Sequence, residues 1–119
     1  MGLLSAPIHD ERSVMKTVRF MIEYGAYPLW FYDDSGNLTF DWTPKELTDY
    51  PEILANLDEI EAIYNSLFIN NEHEFGWKGF DTEEERAEYK ALVRATLALL
   101  REKLGDKYRI VDHTYLNQV

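Results

Sequence analysis

Along residues 17–24, TVRFMIEY, apolar and polar positions alternate. Val18, Phe20, Ile22 and Tyr24 fall on one side, and Thr17, Arg19, Met21 and Glu23 on the other. Successive strand side chains point to opposite faces, so this period of two predicts a half-buried strand. The following GAYP interrupts it, because Gly25 tolerates positive φ and Pro28 removes a ladder donor; the Tyr27–Pro28 bond is open to cis or trans. Residues 29–42, LWFYDDSGNLTFDW, read as a hairpin turning at Asp34-Ser35-Gly36, with Gly36 in the left-handed position. This register sets Asp33 opposite Asn37, Tyr32 opposite Leu38, Trp30 opposite Phe40 and Pro28 opposite Trp42. Partners share a face, so Trp30, Tyr32, Leu38, Phe40 and Trp42 are the expected core face. Leu29 and Phe31, joined by Met21, are then left as an apolar spot on the opposite face.

The period changes after the break TPKELTDYP. From Pro51 the apolar positions Ile53, Leu57, Ile60, Tyr64 and Leu67 step by four and three, the spacing of one helix face, with Leu54 and Phe68 beside them. Proline suits a helix start, where its missing N–H costs nothing, and Glu52 favours the positive end of the dipole; Asn70-Asn71 is the expected end. A second helix opens at Thr82, which forms a capping box with Glu85, and carries a wide apolar face from Tyr89 to Leu104 before Gly105 closes it. DKYRIVDHTY then alternates again, with Tyr108, Ile110 and Asp112 against Arg109, Val111 and His113, and reads as a last strand.

Strand, hairpin, helix, helix, strand is the order of an α+β domain: an antiparallel sheet with two helices packed on one face. The last strand either pairs with the first or takes an edge. Residues 1–14 show neither period and are expected to be a loose N-terminal arm, leaving 15–119 as one domain.

Charge narrows the function classes. Twelve bases against 22 acids give a formal charge of −10, which repels phosphates and anionic headgroups, so nucleic-acid and membrane-surface binding are not expected. The acids concentrate between Asp41 and Glu61, whereas residues 91–109 are basic. The plain interpretation of such a run is a solvated helix face; the alternative is a negative docking surface. Without cysteine there are no disulfides, thiolate metal sites or thiol nucleophiles, in keeping with the cytoplasm. No apolar run approaches the roughly 18 residues of a bilayer span, and MGLLSAPIHDERS lacks the regions of a signal peptide.

The segment NNEHEFGWKGFD, residues 70–81, sets His73 between Glu72 and Glu74 ahead of three aromatics and two glycines. Adjacent residues of an extended segment point alternately, so His73 faces away from both acids, and no helical metal-ligand spacing occurs; neither a metal nor a cofactor is expected. Phe75, Trp77 and Phe80 are expected to pin this connection onto the domain, with an exposed Trp77 as a binding anchor in the alternative reading. DDSGNLTFD lacks the spacing of a calcium loop. The serines occupy arm, hairpin and mid-helix positions without a nucleophile-elbow context, and no phosphate-cradling glycine pattern is present.

At GAYPLWFYDDSGNL and LDEIEAIYNSLFINNEHEFGWKGF the chain resembles small acidic bacterial proteins of uncharacterised function, some of which are encoded beside secreted polymorphic toxins and act as their immunity partners. The resemblance covers about residues 15–112. It implies a cytoplasmic, non-catalytic protein whose acidic surface meets a basic toxin domain. Charge and exposed position suggest as contacts Asp33 and Asp34 at the hairpin tip, Asp58, Glu59 and Glu61 on the first helix, and Glu72, Glu74 and Trp77 on the connection. Two other classes remain open. One is a homodimeric assembly protein joined through Met21, Leu29 and Phe31. The other is a small hydrolase or metal-dependent enzyme, which would need a pocket gathering Asp33, Asp41 and His113.

Overall fold

A computed structural model describes residues 16–39 and 45–119, except for the side chains of Lys45 and Glu46. In chain order the elements are β1 (Lys16–Met21), β2 (Leu29–Tyr32), a single helical turn α1 (Lys45–Thr48), α2 (Pro51–Ser66), β3 (Phe68–Asn70), β4 (Phe75–Trp77), α3 (Glu83–Leu104) and β5 (Tyr108–His113), followed by a 3-10 turn at Leu116–Gln118. The class is α+β, with two long helices, a three-stranded sheet of order β2-β1-β5 and a separate two-stranded sheet of β3 and β4. The fourteen-residue arm, together with Phe40, Asp41 and Trp42, lies outside the described residues.

The sheet is mixed, not antiparallel as expected. β2 runs antiparallel to β1, but β5 runs parallel to it, with Lys16 opposite Tyr108 and Met21 opposite His113. The reason lies in the number of traverses. β2 returns the chain to the end of the sheet where β1 began; α2 crosses to the far end and α3 crosses back, so β5 starts level with the start of β1. With a single long helix in place of two, the same pair would have been antiparallel. β5 both pairs with the first strand and forms an edge.

A second correction concerns the faces of β2. Leu29 (0% exposed) and Phe31 (6%) are in the core, whereas Trp30 and Tyr32 are half-buried on the other side of the sheet. β1 decides this. Val18 pairs with Phe31 and Phe20 with Leu29, and since paired residues share a face, the two fully buried β1 side chains carry their partners inward. Met21 falls on the opposite face, level with Thr17 and Arg19, so Met21, Leu29 and Phe31 do not form a common dimer surface. The outer face holds Arg19 instead, whose guanidinium stands 4.9 Å from the Tyr32 ring centre.

The turn after β2 follows the expected register. The Asp33 N–H donates to the Asn37 carbonyl at 2.9 Å, Tyr32 bridges Leu38, and Gly36 has φ 88°, a left-handed value that glycine adopts without a Cβ penalty. Tyr27–Pro28 is trans.

α2 begins at Pro51 as its sequence directs, and its buried stripe is Ile53, Leu57 and Ile60. It stops at Ser66, earlier than Asn70-Asn71, because Phe68 leaves the helix to start β3. Thr82 caps α3, its Oγ1 accepting from the Glu85 N–H at 3.0 Å. Tyr89, Val93, Leu100 and Leu104 from α3 join the α2 stripe, Val18, Phe20, Leu29, Phe31 and Tyr108 in one cluster, so both long helices cover the same face of the sheet. Thr96, the buried polar residue of α3, satisfies its hydroxyl on the Leu92 carbonyl at 2.7 Å. The turn α1 also contributes, through Leu47, which is fully buried.

Candidate interaction surface

β3 and β4 form a short antiparallel hairpin within the segment expected to be an irregular connection. Phe68 pairs with Trp77 and Asn70 with Phe75, which sets all four on one face. Asn71 makes the turn: its Oδ1 accepts from the N–H groups of His73 (2.8 Å) and Glu74 (3.0 Å), and its own N–H donates to the Glu74 carbonyl. A short polar side chain replaces backbone partners at the tip in this way.

Aromatic rings gather on that face. Phe68 lies at the centre, with ring centres at 4.7 Å from Tyr24, 5.7 Å from Phe75, 5.2 Å from Trp77 and 5.4 Å from Tyr64. Tyr24 comes from the loop between β1 and β2, which is held in place at two points. The Gly25 N–H donates to Asn65 Oδ1 at 3.0 Å, and Asn70 Nδ2 donates to the Tyr24 hydroxyl at 2.7 Å. The outer rings remain open to solvent: Phe75 is 58% exposed, Trp77 51% and Tyr24 37%. Only Phe80 of the three expected pins packs inward, 5.4 Å from the Tyr89 ring. A cluster of half-exposed aromatics pays a hydration penalty that burial under a partner removes.

Carboxylates flank this cluster. The Tyr27 phenol is pushed up to about 12 by its burial first and then by the charges of Asp58 and Glu61, which places those two acids of α2 beside the β1–β2 loop. Tyr64 is raised by burial and by Glu23. Glu72 and Glu74 stand exposed at the hairpin tip, Glu72 lying 3.7 Å from the His73 imidazole. Glu59, on the other flank of α2, faces a cleft of about 390 Å³ that runs between the C-terminal half of α2, the Lys78–Asp81 link and the start of α3. Trp77 borders the link into that cleft, and a Cβ at Gly79, which has φ 84°, would come within 3.4 Å of its indole nitrogen.

Of the eight expected contact residues, the structure thus brings Glu72, Glu74 and Trp77 together on the hairpin and sets Asp58 and Glu61 near its supporting loop. Asp33 and Asp34 are elsewhere. They follow Tyr32, which pairs with Thr17 at the start of β1, whereas the aromatic cluster lies beyond the end of β1. Asp33 Oδ1 is engaged by its own turn, accepting from the N–H groups of Ser35 and Asn37. His113, opposite Met21, is likewise separated from Asp33 by the length of the strand and stacks on Tyr115 at 5.7 Å. A recess of about 380 Å³ beside β5 takes in Asp112 and Thr114, but neither Asp33 nor His113. Among the described residues no group of three or more His, Asp or Glu side chains is placed to hold a metal ion. None of their helices is long and apolar enough to cross a membrane.

Tyr24, Phe68 and Phe75 were not singled out by sequence as contacts. The signal for Phe68 and Phe75 was their strand spacing with Asn70 and Trp77 around a turn-forming Asn71, which the helical reading of Phe68 concealed; Tyr24 had no local signal.

A family model described as Serratia CdiI immunity protein-like matches residues 16–115. The chain belongs to this family. No curated protein and no solved structure matches it. The immunity protein-like match runs from the first residue of β1 to two residues past the end of β5, and so includes the aromatic hairpin, the acids of α2 and the cleft. It agrees with the resemblance to immunity partners of polymorphic toxins seen in the sequence.

Proposed function

We propose that this chain is a cytoplasmic, non-catalytic immunity protein that neutralises a toxin domain by binding it. The immunity protein-like match over residues 16–115 carries this reading. The surface around β3 and β4 suggests where the toxin docks. Phe75, Trp77 and Tyr24 supply apolar anchor area, and aromatic anchors near the centre of an interface provide most of its lasting affinity. Asp58, Glu61, Glu72 and Glu74 supply the negative surround, which accelerates encounter with a basic partner and disfavours an acidic one. Since the anchors are held by a hydrogen-bonded hairpin, little ordering cost is added on binding.

The test is co-expression and calorimetry with the toxin domain encoded by the neighbouring reading frame. The expected result is a complex with nanomolar affinity whose association slows as salt is raised, together with rescue of growth in cells producing the toxin. A chain that neither binds that domain nor protects cells removes the proposal. Binding that persists unchanged in the Trp77→Ala and Phe75→Ala variants removes the assignment to the hairpin.

A further inference from the structure

The outer face of the three-stranded sheet differs from the rest of the molecule in its charge. Both long helices and α1 send their buried side chains to the opposite face, where Val18, Phe20, Leu29 and Phe31 lie. The strand pairings place Arg19, Trp30 and Tyr32 on the outer face, with Met21, Arg109 and Val111 beside them. No outward position of β1, β2 or β5 is a carboxylate, although the chain as a whole has a formal charge of −10. Leu38, bridged to Tyr32 and 40% exposed, extends the apolar part of this face. A cover that is apolar and negatively charged would suit it.

A second observation is independent of charge. Arg19 and Trp30 are cross-strand partners, and each holds a donor that is shielded from solvent and has no hydrogen-bond partner: Nε of the guanidinium and Nε1 of the indole. Buried donors ordinarily find an acceptor, because their lost hydration is otherwise uncompensated. Directly opposed strand residues have Cβ atoms only about 5 Å apart, so neighbouring carboxylates can accept from both. The Arg19 guanidinium is already laid over the Tyr32 ring, which orients it before any acceptor arrives.

Two candidates for the cover fail. A basic toxin domain is repelled by Arg19 and Arg109. A second copy of the chain, related by a two-fold axis, presents the same patch, and so sets these cations near their own equivalents and brings no carboxylate. The segment ahead of β1 meets both demands. Residues 1–15, MGLLSAPIHDERSVM, join the sheet at Lys16 on its central strand, carry Asp10 and Glu11 against Arg12, and supply Leu3, Leu4 and Ile8. Their length is sufficient. Arg19 lies about 10 Å along β1 from Lys16, at roughly 3.3 Å per residue, and a chain that reverses near Ser13 returns Asp10 and Glu11 to the start of β1, within reach of the long Arg19 side chain. We propose that residues 1–15 fold back over the outer face, the Asp10 and Glu11 carboxylates accepting from Arg19 Nε–H and Trp30 Nε1–H, and Leu3, Leu4 and Ile8 covering Met21 and the Trp30 ring. The cover closes a sheet face that favours self-association and leaves the aromatic hairpin as the docking surface. It does not rest on the toxin-binding reading.

The chain has no cysteine, so a single nitroxide label can be attached to the full-length protein through Ala6→Cys. The expected result is broadening of amide resonances that is strongest at Met21, Trp30 and Val111 and weak at Phe75. Asp10→Asn combined with Glu11→Gln is expected to release the cover. In that double variant the broadening at the outer face falls, and exchange of the Trp30 indole N–H with solvent quickens by about tenfold or more, since two charge-assisted hydrogen bonds are lost. Broadening that misses the outer face overturns the proposal, and so does an indole that exchanges at the same rate in the double variant. A mixture of labelled chain with unlabelled, isotope-enriched chain tests the remaining occupant: broadening passed between chains at Met21 and Trp30 assigns the face to a second copy and overturns the intramolecular cover, whereas broadening confined to the labelled chain supports it. All of these are read on the free protein, so their failure leaves the immunity reading standing, and a wild-type chain that does not bind the toxin leaves the cover standing.

Discussion

Phe20 and Trp77 are both large aromatic side chains on strands, and the molecule uses them in opposite ways. Phe20 is fully buried beneath α2 and α3, paired with Leu29 and part of the core cluster. Trp77 is half open, held by Phe68 and Tyr64 on a hairpin that owes its shape to an asparagine turn. The first kind of site is stabilised by the removal of its surface from water on folding. The second retains much of that surface for a later event. Burial therefore separates residues that hold the fold from residues that the proposed function needs.

The sharpest way to test this division is to remove one ring from each region. Phe20→Ala is expected to lower stability by about 3–5 kcal/mol in urea unfolding, because the cavity lies in the centre of the cluster; the folded fraction should bind toxin normally. Trp77→Ala should do the reverse, weakening toxin binding by about 2–4 kcal/mol while the unfolding midpoint hardly changes. A Trp77→Ala chain that loses stability instead of affinity would erase the distinction. Thr82→Ala, which removes the cap of α3, should lower stability by about 1 kcal/mol and leave affinity alone. Neutralising Glu72 and Glu74 with glutamine should act mainly on the association rate, and stopped-flow mixing should show a flatter salt dependence with an affinity change of under about 1 kcal/mol.

The smallest effect at neutral pH is expected at Tyr27, where it should be absent. Burial and the neighbouring Asp58 and Glu61 raise this phenol from 10.0 to about 12, so the native state favours its neutral form. The associated stability is complete below pH 10 and is lost as pH rises through about 12. Tyr89 is raised in the same direction by burial and steepens that loss. Tyr27→Phe should weaken the decline without changing stability at pH 7, as read by denaturant unfolding across the alkaline range.

The elements that the sequence made legible are those whose signals are local. Pro51 and the stripe Ile53, Leu57 and Ile60 define α2, Thr82 marks the start of α3, and Gly36 sets the turn after β2. The parts that were misread depend on partners distant in sequence. In LWFY every position is apolar or aromatic, so no alternation within β2 tells its faces apart; pairing with Val18 and Phe20 makes the choice. The direction of β5 follows from the two long helices that intervene, which were available in the sequence but had to be carried through as topology. β3 was hidden because Phe68 continues the helical spacing of α2, and only its ladder with Trp77 competes successfully for it. At the candidate surface, Glu72, Glu74 and Trp77 could be named from charge and type, whereas the contribution of Tyr24 depends on a loop bonded to Asn65 and Asn70.

The parallel pairing of β1 with β5 has a consequence for biosynthesis. Lys16 waits for Tyr108, and Met21 for His113, so the central strand of the sheet lacks a neighbour on one side until the ribosome has passed His113. Synthesis adds about 5–20 residues per second, which leaves that edge bare for several seconds in each nascent chain. The sheet of this protein is accordingly completed only once its last strand has left the exit tunnel.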